Sequence, residues 1–387
     1  MHARLLLLAA LLPAVARAQA PTIQVQGRIQ VQYRLSSGDS SGNYNPNQVS
    51  NIFEVRRLRI QTNVRFGDNI NLVIQPSFEM AALRMRDAYV RVGLSPRIGV
   101  TVGQEKSPFQ RYELNSSNNL LSIERGLRIL RLAGREGLND LLSANGYVSH
   151  DLGAFVDYVG PDSKITVKAG VQQGSRESST DVNNAKSFFG RVTATAITNA
   201  DNQPVLQLGA SFASRDRAIC QTLAAPGSAT CTAYFADSSK QTTAFGLDAE
   251  WGGFRPGFHV FADFATGDNV AIANRKATGR NTGNLDSAST PIATFMGLSL
   301  IGAYRINTTG PDTRLIKIFE PALRIDYLDP NTDTDNDQGL LITPVFNIYF
   351  ANSVVLRAGF DFYSYKDATT GASRTARELK FSWQANF

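Results

Sequence analysis

The stretch TIQVQGRIQVQYRL at residues 22–35 alternates between two kinds of side chain. One alternate set is apolar and runs from Ile23 to Leu35, and the other is polar, with glutamines around Arg28 and Arg34. Because successive side chains of a β-strand point to opposite faces, the stretch predicts a strand with one apolar face and one wet face. The rest of the sequence has to indicate what surrounds each of these two faces.

Alternation of this kind continues to the last residue, and helical periodicity is almost absent. The pattern predicts about sixteen strands, of which the sixth has the weakest alternation. Their expected ranges are 23–35, 52–66, 69–79, 86–93, 97–104, 144–159, 164–173, 187–198, 204–215, 242–251, 254–267, 292–306, 314–328, 339–350, 353–364 and 376–387.

The connections between these segments follow a second pattern. Tight turns, such as those at 67–68 and 252–253, alternate along the chain with mostly longer polar stretches, such as 36–51 and 267–291. An up-and-down barrel has short turns at one end and longer loops at the other, whereas a soluble β-sandwich has no reason to keep this alternation. The predicted fold class is all-β: a transmembrane antiparallel up-and-down β-barrel of about 16 strands in a single domain at 19–387.

The overall composition agrees with a barrel. The 387 residues are 43% hydrophobic and 19% charged, because lipid-facing and lumen-facing residues average out in such a fold. No run approaches the roughly 20 apolar residues of a membrane helix, which excludes a helical membrane protein. The net charge of +6 is only mildly basic, so the placement of the cations decides its meaning.

The first eighteen residues predict a secretory signal peptide. Arg4 precedes an apolar run, and small residues flank Arg17, which is the layout of an export signal cleaved after Ala18. Export places the chain in an oxidising compartment. Cys220 and Cys231 lie in a polar segment and are predicted to form a disulfide that clamps a surface loop, worth about 3 kcal/mol.

The chain ends in the alternating segment ELKFSWQANF at 378–387. A last strand that finishes on an aromatic residue, here Phe387, is typical of barrels recognised by the outer-membrane barrel-assembly machinery. The apolar face of each strand is therefore expected to contact outer-membrane lipid, and the wet face a water-filled lumen.

The second predicted strand, NIFEVRRLRIQTNVRF at 51–66, carries a row of arginines. If its apolar set faces lipid, then Arg57, Arg59 and Arg65 face the lumen, where alternate side chains repeat at roughly 6.6 to 7 Å. Arg28 and Arg34 on the first strand add the same charge. We expect net positive charge near these two strands. The alternative is that the arginines pair with lumen carboxylates, of which the predicted inward faces offer several.

The connection at about 105–143 is too long and too apolar to stand in water. We expect it to fold into the barrel as a constriction loop. Arg125, Arg128, Arg131 and Arg135 would fall on one face of a short helix within it. Lys106 and Arg111 are expected where the loop leaves the wall. The alternative is that these arginines only form salt bridges that hold the loop in place.

Several segments together resemble the phosphate-selective porin O and P family. They are VRRLRI at 55–60, DAYV at 87–90, GQEKSPF at 103–109, the Glu124-Arg125 pair and the final Phe387. The resemblance, clearest over 52–135, implies a sixteen-stranded outer-membrane porin, usually a homotrimer, that takes up phosphate or related anions along an arginine-lined path.

Position by position, Arg57 and Arg59 match the basic pair region of that family, and Lys106 matches the lysine of its GQ-x-K-x-P-F motif. Glu105 departs from the motif, which usually has an aromatic or apolar residue there. A carboxylate beside the lysine could weaken the preference for anions.

The sequence thus predicts a passive porin in the outer membrane of a Gram-negative-type bacterium, with small phosphate-like anions as its partners. The alternatives are a weakly selective diffusion pore and a structural or adhesive barrel. An enzyme is disfavoured because His150 and His259, the histidines beyond the signal peptide, lack a recognisable Ser/His/Asp setting. No cofactor, metal site or nucleic-acid motif is predicted.

Overall fold

The protein is a closed antiparallel barrel of sixteen strands, each paired with its neighbours in sequence, and β1 closes the barrel against β16. The computed structural model describes residues 20–37, 49–79, 82–126, 137–175, 177, 181–223, 231–253, 256–270, 292–308, 315–351, 353–366 and 373–387. The strands are β1 (Thr22–Ser37), β2 (Val49–Phe66), β3 (Ile70–Glu79), β4 (Ala82–Gly93), β5 (Ile98–Lys106), β6 (His150–Val159), β7 (Ile165–Gln172), β8 (Ser187–Thr198), β9 (Pro204–Leu223), β10 (Cys231–Trp251), β11 (Gly257–Asn269), β12 (Ala293–Asn307), β13 (Ile318–Asp329), β14 (Gly339–Ala351), β15 (Val354–Lys366) and β16 (Ser373–Asn386).

The two faces of the strands differ as the alternation predicts. On β12, Leu298 and Leu300 are exposed on the outside, whereas Ser299 and Ile301 between and beyond them are buried inside. Aromatic pairs lie toward the strand ends, such as Phe258 against Tyr304 with ring centroids 4.8 Å apart. An apolar exterior edged by aromatic rings is the surface that a bilayer requires. The predicted transmembrane barrel is therefore confirmed.

Helices are few and short in the described residues, and none of them has the length and apolar character needed to cross a bilayer. Two belong to the connection between β5 and β6: α1 (Arg111–Leu114) and α2 (Leu138–Asn145). Gly146 ends α2 in the left-handed conformation, with φ of 78°, and its N–H closes the last turn on Leu142 and Ser143.

The same connection folds into the barrel, as predicted, and packs on one side of the wall. Leu120 and Leu121 are buried in an apolar cluster with Phe261, Ile301 and Val345 of the inner wall. Around α2, Leu138 belongs to a second cluster with Phe109, Leu142, Phe295 and Leu328. A Cβ added to Gly297 would lie 2.6 Å from Leu138, so this wall is shaped for the close approach of the loop.

Hydrogen bonds from the wall reinforce this packing. The Asn347 side chain donates to the carbonyl of Leu121 at 3.0 Å, and Arg324 donates to the carbonyl of Glu124 at 3.1 Å. Because β13 and β14 supply both donors, the loop is fixed against the β11–β14 wall. Cavities in the described part of the lumen lie mainly along β1–β8.

Three strands, β6, β9 and β10, differ most from their predicted bounds. The sixth strand begins at His150 instead of 144, because 138–145 is helical. Strands β9 and β10 extend through the cysteines, which the sequence analysis places in a loop. Cys220 and Cys231 form a disulfide across this hairpin, with Cα atoms 5.8 Å apart. Beyond the membrane both faces of a strand meet water, so no alternating pattern marked the extension.

The helix predicted around Arg125 is also wrong in its described part, because 121–126 is a series of bends. Arg128, Arg131 and Arg135 lie outside the described residues, as does the predicted signal peptide at 1–18.

A substitution on the outer face of β10 tests the contact with lipid. Leu247 is 58% exposed and lies four residues before Trp251 at the short-turn end, roughly 13 Å along the strand. Leu247→Arg is expected to lower the free energy of unfolding by about 2–4 kcal/mol, the cost of a cation near the bilayer midplane. Denaturant titration in lipid vesicles measures it. Leu247→Ile is the control, and equal stability of the two variants would contradict a lipid-facing position.

Candidate functional site

Two cavities lie between the loop and the β1–β8 wall in the described part of the lumen. The cavity on the long-loop side, called here the outer chamber, has a volume of about 210 Å³. The inner chamber, toward the short-turn end, has a volume of about 610 Å³. Arg59, Lys106 and His150 line both chambers. These three residues mark the place where the two chambers meet.

Glu124 of the loop lies between two adjacent arginines of β2. Its carboxylate accepts from Arg57 at 2.6 Å and from Arg56 at 2.7 Å. A strict strand alternation would turn Arg56 away from the lumen, but the register between β1 and β2 shifts between Gln30 and Val31. This irregularity brings both guanidinium groups inside.

Glu79 of β3 contacts three cations, one of which is Arg56 at 3.7 Å. Arg59 and Arg86 both form salt bridges with its carboxylate, and the hydroxyl of Ser77 donates to it at 3.0 Å. Arg86 in turn bonds Glu177 at 2.5 Å. Sequence analysis missed Arg86, because alternation from the inward Asp87 would turn it toward lipid; the register between β3 and β4 shifts between Ile74 and Pro76 and brings Arg86 inside.

Glu113 of α1 is the third shared carboxylate. It lies 3.2 Å from Arg125 and 3.5 Å from Lys106, and it accepts a hydrogen bond from Asn139 at 2.9 Å. Burial disfavours its ionised form, but the charges of Arg125 and Lys106 outweigh this effect and lower the pKa of the Glu113 carboxyl to about 2. The carboxylate is therefore ionised at neutral pH.

These three carboxylates are outnumbered by their cationic partners. The charged lining of the outer chamber is Arg56, Arg57, Arg59, Arg86, Lys106 and Arg125 against Glu79, Glu113, Glu124 and Asp140. Six cations face four carboxylates. Among the residues that line the outer chamber, the cations are thus largely ion-paired and still exceed the carboxylates by two.

The other predicted cations are distributed around the site. Arg28 is buried beside the loop and donates to Asn118. Arg34 pairs with Glu378 at 3.1 Å and with Glu54 at 3.4 Å. Arg28 lines the inner chamber, whereas Arg34 lies above both chambers on the long-loop side.

Two more of the predicted cations lie farther from the meeting point. Arg111 lines the inner chamber but pairs with Glu250 at 2.5 Å. Arg65 is exposed at the short-turn end of β2 and lines neither chamber. Glu105, the departure from the family motif, bonds Lys168 at 2.5 Å, so its charge is balanced by a neighbour other than Lys106.

A closed sixteen-stranded barrel with an apolar exterior, a charged lumen and an inward-folded loop defines an outer-membrane porin. The chain belongs to the family described as phosphate-selective porin O and P, whose sequence profile matches residues 23–222. The protein is therefore located in the outer membrane of a Gram-negative bacterium. No curated protein matches the chain significantly.

Solved porins share this fold. The outer-membrane channel DcaP of Acinetobacter baumannii is 13% identical, with a TM-score of 0.61 over 95% of this chain and 98% of that chain. An anion-selective porin from Comamonas acidovorans is 11% identical, with a TM-score of 0.60 over 95% of this chain and 100% of that chain. A loop-deletion mutant of OmpT from Vibrio cholerae is 12% identical, with a TM-score of 0.57 over 95% and 100%. At these identities the likeness concerns the fold alone.

Proposed function

We propose that this porin is a passive channel with a preference for anions, and that phosphate-like oxyanions are its leading substrate class. The observation that carries the proposal is the sharing of Glu124, Glu79 and Glu113, each among two or more cations, along the permeation path. A half-neutralised row of cations attracts anions and still releases them, because several weak sites in series replace one strong site.

The kind of cation supports the oxyanion class. Arginine presents a planar fork of N–H donors that matches two oxygens of a phosphate or carboxylate group. Five of the six cations around the outer chamber are arginines. The description of the family as phosphate-selective agrees with this choice. Assembly through Phe387 by the barrel-assembly machinery and association into a homotrimer belong to the same proposal.

Reversal potentials in planar bilayers under a KCl gradient test the anion preference, and graded phosphate added to chloride tests the oxyanion class. Arg59→Gln combined with Lys106→Gln is expected to lower the chloride-to-potassium permeability ratio by about tenfold and to weaken block by phosphate. Neither substitution leaves an unpaired carboxylate, because Arg86 stays with Glu79 and Arg125 with Glu113.

Arg65→Gln is the matched control, since it removes an arginine of the same strand that lines neither chamber. We expect it to change the permeability ratio little. A cation-preferring wild-type channel would overturn the anion proposal. Equal conductance for chloride and phosphate without block would instead favour the weakly selective pore, which the extensive ion pairing of the lumen also fits.

A further inference from the structure

His150 occupies a position that the proposed function does not use. It is the first residue of β6, it is 5% exposed, and it lines both chambers. Its partner across the β5–β6 ladder is Lys106. A change in the charge of His150 would therefore act where the two chambers meet.

Carboxylates face both ring nitrogens of His150. Nε2 lies 3.4 Å from Asp87 on β4, and Nδ1 lies 4.0 Å from Glu177 in the β7–β8 connection. A neutral imidazole has one N–H, so it can present a proton to only one of them, whereas the protonated ring presents an N–H to both. The charged groups that face the ring from the surrounding elements are Arg86 and Asp87 of β4, Lys106 of β5, Glu113 of α1 and Glu177.

Asp87 makes the charge of His150 matter for permeation. Among the described residues, its ion pair is with His150, and it lines the inner chamber. Glu177, in contrast, already has salt bridges with Arg84 and Arg86. While His150 is neutral, Asp87 is a negative charge on the anion path. Protonation of His150 compensates that charge.

We propose that His150 is a specificity-determining residue that makes the anion preference of this pore depend on pH. Histidine changes its charge between about pH 5 and 8, a range in which the carboxylates and arginines around it ordinarily keep theirs. Acidification adds one positive charge beside Lys106 and Asp87, so the preference for anions rises as the pH falls. This inference rests on the proposed function.

The test measures reversal potentials under a KCl gradient at pH 7.5 and pH 5.5, with chloride as the probe because phosphate itself titrates in this range. For the wild-type protein we expect the chloride-to-potassium permeability ratio to rise about threefold on acidification, as for one added charge several ångströms from an ion in water. His150→Gln is expected to keep a constant, low ratio. His150→Arg is expected to keep a constant, high ratio.

His259 provides the matched control. It is buried on β11, it pairs with Glu250 at 3.2 Å, and it lines neither chamber. His259→Gln should retain the wild-type response to pH. A pH response that survives in His150→Gln, or a wild-type protein without any response, would overturn the role of His150. If His150→Gln fails to assemble, His150→Arg takes its place. A pH response that survives in His150→Arg would then overturn the role of His150. The sign of selectivity at pH 7.5 tests the anion preference separately.

Discussion

Leu121→Asp is expected to raise the single-channel conductance severalfold and to remove most of the ion preference. Leu121 is fully buried where the loop meets the β11–β14 wall. Loss of a buried leucine alone costs about 2–5 kcal/mol, and an unpaired carboxylate buried there costs more. The loop should leave the wall and open the lumen, which conductance recordings in planar bilayers measure.

Leu121→Met is the control for this experiment, because it keeps the volume and apolar character and should cost less than about 1.5 kcal/mol. We expect it to conduct like the wild-type protein. If Leu121→Asp forms barrels with unchanged conductance and selectivity, then the position of the loop does not limit permeation.

Glu113→Gln is expected to raise the preference for anions, whereas the loss of a cation is expected to lower it. It removes the carboxylate shared by Lys106 and Arg125 while keeping the hydrogen-bonding shape of the side chain. The surplus positive charge on the permeation path grows by one, so the chloride-to-potassium permeability ratio should rise about threefold or more. Reversal potentials at neutral pH measure the change, and Glu113→Asp, which keeps the charge, is the control.

The pH dependence of the Glu113 effect is set by its pKa of about 2 in the folded protein. An unfolded glutamate has a pKa of about 4.3, so the folded value is depressed. The ion pair therefore stabilises the loop fully above about pH 4.3, and this contribution is lost as the pH falls through about 2. Glu113→Gln should differ from the wild-type protein equally at pH 7 and pH 5. A difference that disappears by pH 5 would contradict this assignment.

The barrel could be predicted from the sequence because successive side chains of a membrane strand face lipid and water in turn. This produces a visible alternation of apolar and polar residues. Elements outside the membrane produce no such alternation in the sequence. The strand extensions around Cys220 and Cys231 and the start of β6 at His150 were missed for this reason. The helix around Arg125 was predicted from spacing, but the described residues 121–126 form bends, in which Leu121 and Ile123 pack on the wall.

The charged site was only partly predictable. Strand alternation correctly turned Arg57 and Arg59 inward. Arg56 was invisible because a register shift, set by pairing with β1, reverses its direction. The partner of Arg56 and Arg57, Glu124, is 67 residues away from Arg57 in the chain, so no local pattern relates them. The extent to which the lumen arginines are neutralised depends on such long-range pairs. It can therefore be determined only from the three-dimensional structure.

Because the loop is fixed to one side of the barrel, the two sides of the passage differ chemically. In the outer chamber most guanidinium groups belong to β2 and β4, and Arg125 belongs to the inserted segment. Under the proposed anion preference, an elongated molecule with a single acidic end would turn that end toward β2 and β4. Its other end would slide past Pro108 and Leu114, which belong to the inner chamber on the loop side. Orientation of the cargo, and not only its charge, follows from where the loop is anchored.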